Sequence, residues 1–181
     1  MLASLADLEY LKSNRKGFHL INRVRYKITP KGIERAEQLL STNIDSKHVF
    51  VAMWFTDEMD LAYDNCIKKA IEECGFNAFR VDRKEHNNDI TDEIIAGIKQ
   101  SLFMIADLTG NRGGVYHEAG YARGIGRELI LTCRADWFDG DPEKYRKVHF
   151  DVNHFPIIVW EKDKPNEFKN AIINRIKATI L

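Results

Sequence analysis

The chain has 181 residues, enough for one well-buried domain and a small appendage. Hydrophobic residues make up 44% and charged residues 30%, as in ordinary globular proteins, and no apolar run approaches the roughly 20 residues of a membrane span. Formal net charge is zero, which argues against a broad electrostatic grip on nucleic acid, and three cysteines without metal-ligand spacing read as buried thiols rather than a metal or redox site.

The N-terminal stretch carries acids at Asp7 and Glu9 and no cleavable apolar core, so the expected location is cytoplasmic. Leu2, Leu5, Leu8 and Leu11 recur every three residues, a helical stripe that Gly17 ends. Residues 18–21 and 24–28 are expected to pair as a ribbon. Thr29 then caps a helix with Pro30 at its first position and Ile33, Ala36, Leu39 and Leu40 within it. Residues 1–42 are set apart as an appendage, with the run 41–46 as a polar linker.

Residues 47–181 alternate strand and helix. Strands are expected at 48–53, 76–81, 102–106, 128–132 and 156–160, and helices at 59–74, around Ile90, Ile94 and Ile98, at 114–125 and at 167–180. In the first helix Leu61, Ile67, Ala70 and Ile71 are expected to face inward. Residues 102–106 form a continuous apolar run, as a strand buried on both faces requires. The order implies an α/β fold: a doubly wound, mostly parallel five-stranded sheet flanked by helices.

Such sheets bind ligands at the carboxyl ends of their strands. That rule selects three loops: Trp54-Phe55-Thr56-Asp57 after Met53, the polar stretch from Asp82 to Asn88, and the stretch from Asp107 to Gly114. In the last, Asn111-Arg112-Gly113-Gly114 runs straight into a helix. Two glycines admit close approach of an anion, free N–H groups attract it, and Arg112 adds a charged fork, which suits a phosphate or a ribose hydroxyl. A plain tight turn is the alternative. Trp54 and Phe55 are placed either to stack on a base or sugar or to plug the core. His86 reads as part of a solvated turn. Glu118 lies one turn inside the helix among Val115, Ala119 and Ala122; taken by itself, it reads first as a solvated charge.

The segment Phe103-Met104-Ile105-Ala106-Asp107-Leu108-Thr109, continuing through Gly113-Gly114-Val115-Tyr116-His117-Glu118-Ala119-Gly120-Tyr121-Ala122, resembles the active-site segment of nucleoside 2-deoxyribosyltransferases and of the related deoxynucleoside-monophosphate N-glycosidases. The strand Val49-Phe50-Val51-Ala52-Met53-Trp54-Phe55 resembles the opening strand of the same family. TIR domains share the architecture and also place a glutamate near the site. The resemblance implies that Glu118 is a carboxylate nucleophile at C1′ of an N-glycoside, working through an oxocarbenium-like transition state without metal or cofactor. It also implies a nucleoside or nucleotide substrate, and sites of this kind are often completed in homo-oligomers. The family acid that protonates the leaving base falls at Ile94 here; Asp92 and Glu93 are the nearest carboxylates and the expected substitutes, with Asp82 or Asp107 as the alternative. A second family acid falls near Arg112, and a base there suits a phosphate. Met53, Trp54, Phe55, Asp82, Arg112, Gly113 and Gly114 are the expected substrate-binding residues. Tyr26-Lys27-Ile28-Thr29-Pro30-Lys31-Gly32 resembles the strand-to-helix end of a winged helix, which implies weak DNA contact or protein docking through residues 1–42.

Three functions follow: N-glycosidic cleavage or transfer on a nucleoside or nucleotide, TIR-like cleavage of the nicotinamide bond of NAD, and nucleotide sensing without turnover, coupled to a DNA- or protein-binding appendage.

Overall fold

In the computed structural model the described residues are 9–13, 26–40, 46–83, 90–140 and 147–181. The chain divides into two compact units, Met1–Ile44 and Asp45–Leu181.

In the first unit, β1 (Leu11–Ser13) pairs antiparallel with β2 (Tyr26–Ile28), and α1 (Pro30–Leu40) follows. Leu11 therefore lies in a strand opposite Ile28, not on a helical stripe. Tyr26–Ile28 takes Leu11–Ser13 as partner; Leu2, Leu5 and Leu8 and the expected strand 18–21 lie outside the described residues. Thr29 caps α1 as its position requires: its hydroxyl accepts from the Gly32 N–H at 3.0 Å and donates to the Glu9 carbonyl at 2.6 Å.

The second unit is an α/β layer structure. Its elements are β3 (His48–Ala52), α2, β4 (Asn77–Phe79), a 3-10 turn (Val81–Arg83), α3 (Ile90–Gln100), β5 (Phe103–Asp107), α4 (Gly113–Gly124), β6 (Glu128–Arg134), α5 (Ala135–Phe138), β7 (Ile157–Trp160) and α6 (Pro165–Thr179). Helix α2 runs through Asp57–Ala62, a π turn at Tyr63–Ile67, and Lys68–Glu73. The five strands pair in parallel in the order β4-β3-β5-β6-β7.

Period-2 alternation divides the apolar strands between two cores. Val49, Val51, Phe103, Ile105, Ile130 and Ile158 face α2 and α6. Phe50, Ala52, Met104, Ala106, Leu131 and Cys133 face α3, α4 and residues 148–157. Both faces are covered, so the strands read as continuous hydrophobic runs. Each fully buried large side chain contributes about 1.5–3 kcal/mol. The α3 layer approaches closely at Gly97, where a Cβ would lie 2.6 Å from the Phe79 ring. Leu61 departs from its inward assignment. It is 66% exposed, because the buried stripe of α2 runs through Met59, Ala62, Tyr63, Cys66 and Ile67 instead. Among the described residues no helix is long and apolar enough to cross a membrane. Cys66 and Cys133 are buried free thiols, both pushed up by burial, and Cys74 is half-buried.

Candidate active site

The strand order reverses between β3 and β5, so the loops leaving those two strands part company at the C-terminal edge and open a crevice. Ala52 and Ala106 are in register, so residues 53–57 and 108–112 leave the sheet side by side.

The β5 side is built on Asp107. It is fully buried, and its oxygens accept from the Thr109 N–H at 3.0 Å, the Thr132 hydroxyl at 2.5 Å and the Trp160 indole N–H at 2.9 Å. The Thr109 hydroxyl in turn accepts from the Arg134 N–H at 3.0 Å. Asp107, expected as a catalytic candidate, thus offers no atom to the crevice and serves as a strut across β5, β6 and β7. The chain then turns sharply. Asn111 N–H bonds the Leu108 carbonyl at 3.1 Å, with Gly110 at φ +85° and Asn111 at φ +49°. Glycine is needed at 110 twice over: its φ is left-handed, and a Cβ would lie 2.5 Å from the Trp54 ring.

Trp54, the first residue of the β3 loop to emerge, lies against that bare backbone. Arg112 stands over its ring at 5.7 Å and Trp137 of α5 meets it edge-on at 6.1 Å. Met53 is buried beneath. Phe55 is 45% exposed, with the Arg80 guanidinium over its ring at 5.1 Å.

Arg80 ties the β4 side together and was not singled out by the sequence. It is 2% exposed and donates to Asp82 at 2.6 and 2.5 Å and to Asp60 at 2.7 Å; it also covers the Tyr63 ring at 4.6 Å. Asp82 is therefore a partner of Arg80 first. Arg134, at the end of β6, is a second buried guanidinium. It chelates Asp136 at 2.5 and 3.0 Å and forms an ion pair with Glu58 at 2.9 Å, while Glu58 also pairs with Lys162. These cations hold the Glu58 and Asp136 carboxyls below the usual range. Acids in the first turn of α2 thus fasten both arginines.

Glu118 projects from the second turn of α4. Helical side chains lean back toward the N-terminus, and a Cβ on Gly114 would lie 3.9 Å from Glu118 Oε1, so the carboxylate overlies the first turn. Gly113 and Gly114 start that turn after Arg112, and Gly113 faces open space. Glu118 makes no hydrogen bond or ion pair with a described residue. Burial alone raises its pKa from 4.5 to about 7. Asp92 lies in the first turn of α3, exposed, and shares no bond with Glu118. His86 lies outside the described residues, and His117 is exposed on another face of α4.

Tyr116, two residues before Glu118, latches residues 147–155 onto this helix. Its hydroxyl donates to Asn111 Oδ1 at 3.0 Å and accepts from the His149 N–H at 3.3 Å, and its ring meets His149 at 4.7 Å. Asn111 Nδ2 donates to the Lys147 carbonyl at 2.6 Å. Asp151 is exposed in the turns of this segment.

The crevice thus gathers Trp54 under the Arg112 cation, a glycine-opened helix start and the Glu118 carboxylate, which pairs with no described residue, while Phe55 lies against Arg80. Among the described residues no His, Cys, Asp and Glu cluster could hold a metal ion.

No protein-family model matches the sequence, and no curated protein matches it. The structure is similar to the TIR domain of the Toll-related receptor TRR-2 from Hydra magnipapillata, with a TM-score of 0.52 and 16% identity, over 71% of this chain and 97% of that one. At that identity the likeness is one of fold: the chain carries a five-stranded parallel α/β unit with a TIR-like fold.

Proposed function

We propose that the α/β unit is an N-glycosidase that cleaves the nicotinamide bond of NAD at Glu118. The observation that carries this reading is that, among the described residues, no acid pairs with that carboxylate. A neutral purine or pyrimidine leaves C1′ as an anion unless an acid protonates it, so a nucleoside hydrolase calls for a proton donor beside the nucleophile. Of the expected acids, Asp107 is bonded three times and buried, Asp82 is held by Arg80, Asp92 is exposed and apart, and Glu93 lines a cavity with His48 and Ser101 at the opposite end of the strands. Nicotinamide needs no such acid. Its ring nitrogen is already positively charged in the glycoside; when the C1′–N bond breaks, the electron pair returns to that nitrogen and the ring leaves neutral. The TIR-like fold favours the same substrate over the nucleoside 2-deoxyribosyltransferase chemistry that the Glu118 segment resembles.

In this reading Trp54 and Phe55 supply flat surfaces for a ring, and Arg112 with the N–H groups of Gly113 and Gly114 takes a phosphate. The cationic nicotinamide restores ionisation of Glu118, since an opposite charge offsets its burial. The carboxylate then faces the positive charge that develops at C1′, and water or another acceptor completes the reaction. The activity belongs to a cytoplasmic protein, acting as a homo-oligomer, with residues 1–42 as a docking or DNA-contacting appendage.

The test is chromatographic. Purified full-length chain is incubated with NAD, nucleosides and nucleoside monophosphates, and free base is measured. Nicotinamide release that is lost in Glu118→Ala is the expected result. Base release from a monophosphate alone moves the substrate to that class, and a bound nucleotide with no base release makes the unit a sensor.

A further inference from the structure

Strand β7 joins β6 late. The first paired residues are Leu131 and Ile157, so residues 128–130 of β6 extend past the start of β7 while still paired with β5. Ladder alternation fixes what faces the gap. Leu108 N–H bonds the Thr132 carbonyl, so Thr132 and Ile130 turn their backbone groups toward β5, and Leu129 and Leu131 turn theirs the other way. The residue that would meet the Leu129 carbonyl is Pro156, which has no N–H to give. A notch of about 320 Å³ results, at the N-terminal end of the sheet and so at the opposite end from Glu118. That volume is at the small end of the roughly 300–1,000 Å³ of ligand sites.

Three guanidinium groups line it against one carboxylate, Glu128, for a formal charge of +2. Arg123, in the last turn of α4, lies 4.0 Å over the Phe155 ring. Arg175 of α6 donates to the Pro156 carbonyl at 3.1 Å, and Arg127 donates to the Lys99 carbonyl at 2.8 Å. Arg123 and Arg175 have no ion pair with a described carboxylate. Each is held in place by a ring or a carbonyl, and each keeps donors to spare. Leu129 and Phe155 supply apolar wall between them.

We propose that this notch is a second ligand site, for a small phosphate-bearing molecule of up to nucleoside monophosphate size. Arg123 and Arg175 hold the phosphate, and Phe155 and Leu129 take the body of the molecule. The site is independent of the reaction at Glu118 and needs no turnover there.

The test is an amide chemical-shift titration of the full chain with adenosine 5′-monophosphate, inorganic phosphate and adenosine. Saturable shifts at Leu129, Phe155 and Arg175 are expected with the monophosphate, weaker ones with inorganic phosphate, and none with adenosine. The double variant Arg123→Gln/Arg175→Gln should weaken binding there by roughly tenfold or more. Glu128→Gln should tighten it about two- to fivefold by removing the opposing charge, and it carries the test if the double variant does not fold. Adenosine binding as well as its monophosphate, saturable shifts confined to residues 112–118, or a folded double variant with unchanged affinity would each overturn the proposal. Shifts confined to 112–118 would leave the reading of the Glu118 site intact.

Discussion

Glu118→Gln should make the protein more stable while abolishing its chemistry. Burial raises the carboxyl from 4.5 to about 7, and no described cation forms an ion pair with it. At about 1.36 kcal/mol per pH unit, keeping it ionised in the folded state costs about 3 kcal/mol at alkaline pH. The side chain is only partly buried, and solvent screening reduces that to about 1–2 kcal/mol. Glutamine fills the same space without the charge. The variant should therefore gain about 1–2 kcal/mol at pH 8.5, or about 2–6 °C in Tm. The sign follows from proton binding. Between 4.5 and about 7 the folded state holds a proton that the unfolded chain has released, so wild-type stability falls as pH rises through that window. Below it the two proteins should converge. Urea unfolding at pH 8.5 and pH 4, followed by tryptophan fluorescence, measures both gaps. A variant that is less stable at pH 8.5, or that shows the same gap at both pH values, would refute an unpaired, desolvated carboxylate. In catalysis the same titration appears with opposite benefit: kcat/KM should rise with pH toward a plateau above about 7, as Glu118 becomes ionised.

Two further substitutions probe the frame of the crevice. Gly110→Ala places a Cβ 2.5 Å from the Trp54 ring at φ +85°, so it should cost about 1–2 kcal/mol, shift the tryptophan emission and raise KM; unchanged emission would show that Trp54 does not rest on that backbone. Asp107→Ala orphans the Trp160 indole, the Thr132 hydroxyl and the Thr109 N–H, and should cost about 3 kcal/mol or more in urea unfolding. A stable Asp107→Ala protein that has lost only activity would return Asp107 to the chemistry.

The sheet was legible because its strands are buried on both faces. Val49 to Ala52 and Phe103 to Ala106 are apolar without interruption, and only a central parallel strand asks for that. Leu61 was misassigned because a leucine on a helix counts as core until the phase of its neighbours is known. Leu11 was misassigned because spacing of three in four residues fits a helix while its strand partner, Ile28, lies 17 positions on. Topology alone selects the crevice loops, and Trp54, Arg112 and the Gly113-Gly114 turn stand there. What sequence cannot display is which charges are already occupied. Asp107 looks like an acid at a strand end, and its partners Thr132 and Trp160 meet it only once the strands are side by side; Asp82 is claimed from two residues away by Arg80, which is fixed in place by its burial and by Asp60. Tyr116 was passed over for the same reason, since its latch reaches Lys147 and His149 more than 30 residues away.

The π turn in α2 has a consequence for how this sequence can vary. Buried positions Met59, Tyr63, Ile67 and Ile71 fall at every fourth residue, which in an ordinary helix would drift about 40° per step. The wider i→i+5 turn at Tyr63–Ile67 absorbs that drift within the helix. It also parts the helix into two segments with separate obligations. The turn before it must deliver Glu58 and Asp60 to the arginines of the rim, while the turns after it must deliver Ala70 and Ile71 to the hydrophobic layer. Selection on ligand contacts can therefore reshape the first segment without disturbing the packing of the second.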